Sequence, residues 1–246
     1  MRKLRFLVVA LIAMFSIAAT AFAANTYDFT GKIPTGGTKA KPKIGGFTFG
    51  YTIADDGGNL PVVVKAYKFQ IAGSKIDTTA VKATCTAAKI NTAGDASGCS
   101  SAALVGTGSV EAHIGTSGQP WDGTTKCLLK LEAYNAGKNK VALYLDGRDT
   151  TKCVAPISQA IDATWSNTSS GAGLSFTVPD ELRHQLGLDV AVVSVQSTWK
   201  KKSLKKGKKT VGYFSSTGCK GQRSATVTFT GEDGVNPPMT KTIGAC

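Results

Sequence analysis

The chain has 246 residues, and its 29 basic and 16 acidic residues give a formal net charge of +13 at pH 7. After residue 17 no apolar stretch is long enough for a transmembrane helix. The six cysteines lack CxxC spacing, and the two histidines lack HxxxH spacing. The composition therefore argues against a membrane-spanning chain and against a metalloprotein, and we predict no metal and no cofactor.

The N-terminus has the pattern of a Sec-type signal peptide. Basic residues at the start precede an apolar run over residues 6–17, and Ala21-Phe22-Ala23 provides a small-x-small cleavage site. We expect residues 1–23 to be removed and the mature chain to be released without a lipid anchor. A helix buried in the core is the alternative. The removed segment carries no acidic residue, so the positive charge belongs to the mature chain.

The mature region, residues 24–246, is long enough for one large β-sandwich or for two packed halves, 24–155 and 156–246. Glycine is abundant, and turn signals recur at short intervals. This pattern favours many short strands over helices.

Several segments alternate apolar and polar residues with the period of two that is typical of half-buried antiparallel strands. Aspartates and glycines over residues 55–59 predict a turn after the first of them, and residues 135–139 predict a five-residue hairpin loop. The predicted strands are 47–53, 67–71, 129–133, 141–145 and 225–229.

A pair of cysteines, Cys85 and Cys99, encloses a small polar loop that leads into a predicted strand over residues 103–110. The loop has too little apolar area to order itself, so we expect a disulfide to order it. Such a bridge contributes about 3 kcal/mol in the chain-entropy model. The glycines of the strand suggest a bulge or a close backbone contact.

One segment after the signal peptide has residues that are typical of the two ends of a helix. Pro179 and two acidic residues stand in its first turn, and Gly187 stands at its end. We therefore predict one short connector helix over residues 179–187.

Six cysteines fit an exported chain without a free thiol, although they allow 15 pairings. The favoured set needs only local closures. It joins Cys85 to Cys99, Cys127 to Cys153, and Cys219 to Cys246. Together these patterns predict an all-β fold: a disulfide-stapled antiparallel β-sandwich, Ig-like or jelly-roll-like, with one short connector helix.

The cysteine pair followed by Ala103-Leu104-Val105-Gly106-Thr107-Gly108 resembles a group of secreted, largely uncharacterised actinobacterial proteins. The later segments 216–219, 225–229 and 233–234 also look like the C-terminal part of those proteins. The resemblance implies an exported β-sandwich. It implies no reaction and no catalytic residues.

Enzymatic patterns are scarce, and we predict no catalytic residue. His113 is expected to be a solvent-facing strand residue, and His184 to be exposed on the short helix. A Ser-His-Asp triad needs no sequence proximity, but no G-x-S-x-G elbow is present. The acid pairs Asp55/Asp56 and Glu232/Asp233 lie in turn sequences, where carboxylates cap backbone groups. A Ca²⁺ site at Asp55, Asp56 and Asn59 is the less favoured alternative because the EF-hand pattern is missing.

The most informative surface feature is a run of seven lysines within ten residues: Lys200, Lys201, Lys202, Lys205, Lys206, Lys208 and Lys209. It lies between a predicted strand over 190–199 and another that begins near Thr210, so we predict a β-hairpin whose turn contains Gly207. Trp199 and Tyr213 on either side are expected to pack in the core or at an edge. The lysines repel one another, and a polyanion would relieve that repulsion.

Two classes of function follow. The favoured one is a secreted, non-catalytic binding or structural module, extracellular or associated with the cell wall. It would contact an anionic cell-wall polymer or polysaccharide through the lysines, and nucleic acid only non-specifically. A solvated loop that aids solubility and blocks aggregation is the alternative explanation of the lysines. The other class is an exported hydrolase whose active site is assembled from distant residues.

Overall fold

The computed structural model describes residues 25–235 and 238–246, and the predicted signal peptide lies outside the described residues. The regular structure of the described chain is mostly antiparallel β-strand, as the alternating pattern predicts. Its strands are β1 (Asn25–Lys32), β2 (Lys43–Ile44), β3 (Phe47–Asp55), β4 (Val64–Ala72), β5 (Ser74–Ile76), β6 (Leu104–Gly115), β7 (Lys126–Gly137), β8 (Lys140–Asp146), β9 (Ser158–Asn167), β10 (Gly171–Thr177), β11 (His184–Gln185), β12 (Leu188–Trp199), β13 (Ser203–Lys206), β14 (Lys209–Gly212), β15 (Phe214–Ser216), β16 (Gln222–Gly231), β17 (Gly234–Val235) and β18 (Met239–Ala245).

In the described part of the chain, two α-helices accompany these strands: α1 (Ala87–Ala93) and α2 (Asp180–Arg183). Single 3-10 turns occupy Thr78–Ala80 and Ser101–Ala103. The predicted connector helix is therefore present as α2, but it is shorter than residues 179–187 because His184 already has extended backbone angles and begins β11.

One large sheet dominates the fold, with strands in the order β1-β3-β12-β6-β7-β8-β9-β10-β4-β16 and with β17 and β18 both paired to β16. All of these pairs are antiparallel. Early strands lie beside late strands at two places, where β3 pairs with β12 and β4 pairs with β16. Two small sheets stand beside it: β13-β14 and β2-β15-β5.

The sheet curls until its two ends meet at a seam between β1 and β18. Asp28 forms an ion pair with Lys241, Gly31 lies against Ile243, and the Gly36 amide donates to the Cys246 carbonyl. The seam strands run parallel, because a ring of eleven strands with antiparallel neighbours must close on a parallel pair. Among the described residues no strand ladder joins β1 to β18; side-chain contacts and the backbone hydrogen bond between Gly36 and Cys246 hold the seam.

The core lies inside the curled sheet and is rich in aromatic rings. Phe49 on β3 meets Phe69 on β4 with ring centroids 5.0 Å apart, although many strands separate β3 from β4 in the sheet order. Trp165 on β9 and Trp199 on β12 meet at 5.2 Å. The two layers of the sandwich are therefore parts of one continuous sheet, and each buried large apolar side chain contributes about 1.5–3 kcal/mol.

All six cysteines are paired as predicted: Cys85–Cys99, Cys127–Cys153 and Cys219–Cys246. We predicted a polar loop between Cys85 and Cys99. The loop that this first bridge closes instead contains the helix α1. Thr86 caps the N-terminus of α1 through its hydroxyl, and Gly94 ends the helix at φ +77°. Asn91 ties the helix to Ala160 on β9 through two hydrogen bonds of 3.0 and 2.7 Å.

The hairpin of β7 and β8 is confirmed, but its loop is shorter than the predicted residues 135–139. Strand pairing continues to Gly137 and Lys140, so only Lys138 and Asn139 form the turn. Both have positive φ, at 47° and 62°, which matches the right-handed twist of the strands. Asn135 is instead fully buried, and its side-chain amide donates to the carbonyls of Val81 and Ala83.

Candidate functional site

The lysine-rich run forms a hairpin that leaves the main sheet. We call residues 200–209 the lysine hairpin. The predicted turn is confirmed, with Gly207 at φ +58° between β13 and β14. β13 and β14 pair only with each other. Among the described residues the segment is therefore a two-stranded ribbon separate from the two larger sheets.

The base of the lysine hairpin is fixed in the core. Trp199 is buried and stacks on Phe47 with ring centroids 5.3 Å apart. Tyr213 is also buried, and its hydroxyl accepts a 3.0 Å hydrogen bond from the Trp165 indole. Burial raises the pKa of the Tyr213 phenol. The prediction that Trp199 and Tyr213 pack in the core is confirmed.

Two glycines allow β2 and the segment after it to approach this base. A Cβ at Gly46 would lie 2.3 Å from the Trp199 carbonyl oxygen, and one at Gly212 would lie 2.4 Å from Ile44. These contacts are closer than any side chain permits. The ribbon therefore starts from a tightly packed base, which limits how its lysines can move.

The register of the ribbon brings like charges together. Lys206 pairs directly with Lys209, and Leu204 pairs with Val211 on the same face. Like charges directly opposite each other destabilise a strand pair. The Lys206 ammonium donates to the Thr79 hydroxyl. This bond satisfies a donor without neutralising the charge.

None of the seven lysines in the lysine hairpin forms an ion pair with a carboxylate of the described residues. Lys202 is half-buried, and the other six are exposed. The chain continues from β14 into β15, whose two neighbouring strands carry the exposed Lys43 and Lys75. The ribbon and the small sheet below it therefore present lysines on connected elements.

A second polar cluster surrounds His184, and sequence reasoning missed it. Nδ1 of His184 lies 3.0 Å from Oδ1 of Asp189, and Nε2 lies 3.0 Å from Oε1 of Glu232. The guanidinium of Arg183 pairs with both Asp180 and Glu232. His184 is thus half-buried between two carboxylates and is not the freely exposed helix residue that the sequence suggested.

This cluster has donor atoms of the kind that bind a metal ion, but the guanidinium of Arg183 already lies among them. Atoms of Asp180, His184 and Glu232 lie within 4.8 Å of one another. The Arg183 guanidinium supplies positive charge to both carboxylates. The Ser117 amide donates to Asp189, and the Ser117 hydroxyl donates to the Pro61 carbonyl. The arrangement is an ion network that ties α2 and β11 to the turn after β16.

His113 differs from the prediction of a solvent-facing residue. Its ring stacks on Trp121 with centroids 3.5 Å apart and an interplanar angle of 9°. Nε2 lies 3.2 Å from a carboxylate oxygen of Glu111. His113 is half-buried because the chain after β6 folds back and places Trp121 over the strand.

The acidic turn after β3 has the structural role that was predicted. Oδ1 of Asp55 accepts hydrogen bonds from the amides of Gly57 and Asn59, at 2.8 and 3.0 Å. Asp56 is exposed at the tip of the turn. Glu232 and Asp233 also lie in a turn, as expected.

Comparisons of the chain with known proteins do not assign a function to these surfaces. No family model matches the chain, and neither a curated protein nor a solved structure matches it. Among the described residues, no helix has the length and apolar character needed to cross a membrane. The resemblance to secreted actinobacterial proteins stays a prediction.

Proposed function

We propose that the protein is a secreted, non-catalytic binding module that contacts an anionic polysaccharide or cell-wall polymer through the lysine hairpin. The observation that carries this proposal is the charge arrangement. The lysine hairpin carries seven lysines that form no ion pair with a carboxylate of the described residues, its base is packed in the core, and two of the lysines face each other across the strands. A polyanion lying along the ribbon would relieve this repulsion.

The chemistry of lysine limits what such a surface can recognise. An ammonium is a compact point charge without the bidentate geometry of a guanidinium. Affinity should therefore follow the charge density of the polymer, and nucleic acid should bind without sequence preference. The disulfides and the predicted signal peptide support an extracellular location.

The test is binding of the mature chain to heparin, as an acidic polysaccharide, and to duplex DNA over a range of salt concentrations. For both polymers, log affinity should fall linearly with log salt concentration, because bound lysines release counterions. Changing Lys201, Lys202, Lys205 and Lys206 to glutamine should weaken binding to both and reduce the salt slope by about one per lost contact.

The matched control changes four exposed lysines on other elements, Lys68, Lys126, Lys140 and Lys220, to glutamine. It removes the same net charge and should retain most of the affinity and slope. If the two quadruple variants lose affinity equally, net charge and not the ribbon attracts the polymer. If the hairpin variant binds like the parent at low salt, the lysines serve solubility and the proposal is wrong.

A further inference from the structure

The two layers of the curled sheet enclose a cavity of about 120 Å³. Aliphatic and aromatic side chains from strands on both layers line it. Representative lining residues are Phe49, Ala112, Leu131, Leu143, Leu174 and Val195. Each of these side chains is buried, so the cavity belongs to the interior and not to the surface.

The lining offers no charge and little hydrogen bonding to a guest. None of the described residues that line the cavity is charged. The Ser197 hydroxyl donates to the Phe49 carbonyl at 2.6 Å, and the hydroxyls of Tyr51 and Tyr67 hydrogen-bond with each other. The indole N–H groups of both lining tryptophans also donate to hydroxyls of the protein. A polar group on a guest would therefore be buried without a partner, which is unfavourable, so the lining selects a hydrocarbon.

The shape of the cavity is long and narrow. Its lining on β12 extends from Val190 to Trp199, a span of about 30 Å at the rise of an extended strand. A compact space of 120 Å³ would touch only a short part of such a strand, so the volume is drawn out along it. An apolar cavity of about 150 Å³ in another protein binds benzene, so this cavity has room for about six carbons. An unbranched chain fits a narrow space better than a ring or a branched hydrocarbon does.

The cavity lies closest to solvent at the end of the curled sheet that carries α2. Its half-buried apolar lining residues are Leu145, Phe176 and Val192, and each lies in the half of its strand nearer to this end. Leu182 of α2 is buried and also lines the cavity. Because α2 has only four residues, its local opening can admit a guest there.

We propose that the interior of the curled sheet binds an unbranched hydrocarbon chain, of which about six carbons fill the apolar cavity. The proposal is independent of the lysine hairpin. β12 begins at the end of the sheet that carries α2, and the lysine hairpin follows the opposite end of β12.

The test compares n-hexane with its branched isomer 2,2-dimethylbutane, using methyl NMR shifts of the mature chain. The two probes contain the same atoms and differ only in shape. n-Hexane should bind saturably and move the methyl signals of Leu131, Leu174 and Val195. The branched isomer should bind about tenfold more weakly, because its wider end would force the packed walls apart.

A variant with a smaller cavity tests the location. Ala112→Val adds two methyl groups to the lining and should weaken n-hexane binding about tenfold. Ala66→Val is the matched control, because Ala66 is half-buried on β4 and does not line the cavity, and it should leave the affinity unchanged. If Ala112→Val does not fold, the comparison of the two isomers in the parent chain still decides. No saturable shift of the lining methyls by n-hexane, or equal affinity for the two isomers, would overturn the proposal.

Discussion

The interior of the curled sheet and the lysine hairpin both consist of antiparallel strands, but they differ in what faces across the strands. Aromatic rings pack together in the interior, whereas like charges face each other on the hairpin. Inside, Phe229 on β16 touches four other rings and is 2% exposed. On the ribbon, Lys206 and Lys209 face each other in the same antiparallel geometry and stand in water. The ring contacts of Phe229 stabilise the fold, whereas the pair of Lys206 and Lys209 does not. The like-charge pair of Lys206 and Lys209 therefore marks the surface where an anionic partner would relieve repulsion.

The largest expected effect comes from the interior. Phe229→Ala removes the ring that stacks on Tyr27 at 4.3 Å and packs against Tyr51 and Tyr67. We expect a loss of about 3–5 kcal/mol in the free energy of unfolding, because the surrounding side chains cannot fully fill the space that the ring leaves. Urea denaturation measures it. Val154→Ala, at an exposed position, is the control and should change stability by under about 0.5 kcal/mol. A small loss at Phe229 would contradict the tight packing of the interior.

The next effect concerns the Cys85–Cys99 bridge, which holds α1 against β9. Replacing both cysteines with serine should cost about 3 kcal/mol, since the bridge closes a loop of about 15 residues. Denaturant unfolding gives the value, and hydrogen exchange should show faster exchange at Ile90 than in β9. An unchanged urea midpoint would mean that the contacts of Asn91 with Ala160 hold the helix without the bridge.

On the lysine hairpin, a substitution should raise the free energy of unfolding instead of lowering it. Lys206→Gln should change stability by under about 0.5 kcal/mol and in the favourable direction, because it removes a like-charge pair. Lys206→Glu should be more stable still, because it places opposite charges at the 206–209 pair. Thermal unfolding at low and high salt separates the charge effect from other causes. If Lys206→Gln were destabilising, the contact with Thr79 would outweigh the repulsion.

The smallest effect is a pH dependence at the surface loop before Cys153. Hydrogen bonds from the Thr151 hydroxyl, from Lys152 and from the Thr151 amide lower the pKa of Asp149 to about 2. The unfolded value is near 4, so the stabilisation is present above about pH 4 and is lost as the pH falls towards 2.

The corresponding measurement is the stability difference between the parent and Asp149→Asn as a function of pH. This difference should be present at neutral pH and should shrink between about pH 4 and pH 2. Asp56→Asn, at an exposed turn residue, serves as the control. A difference that stays constant down to pH 2 would contradict the lowered pKa.

Sequence reasoning found the strands because their alternation is a local pattern, and it found the disulfides because each closes a short stretch of chain. It missed α1, although Thr86 and Gly94 are recognisable caps, because the helix has only seven residues and only Ala87 and Ile90 are buried. Short helices depend on tertiary packing more than on propensity.

The polar sites were harder to predict because they depend on contacts distant in sequence. Glu232 reaches His184 only after β16 has crossed the sheet, 48 residues later. Arg223 continues the inward face of β16 and is buried with its guanidinium on Ser216 and the Gly73 carbonyl. Neither position carries a local signal.

The parallel seam also determines how the molecule responds to mechanical load. Asp28 meets Lys241, and Gly36 meets Cys246, so β1 and β18 advance side by side along the seam. A tension applied between Asn25 and Cys246 is therefore directed along the seam, and it loads these contacts together instead of peeling them apart one by one. The Cys219–Cys246 bridge transfers the same tension to the segment before β16. The line along which the ring closes without a strand ladder is thus placed in shear.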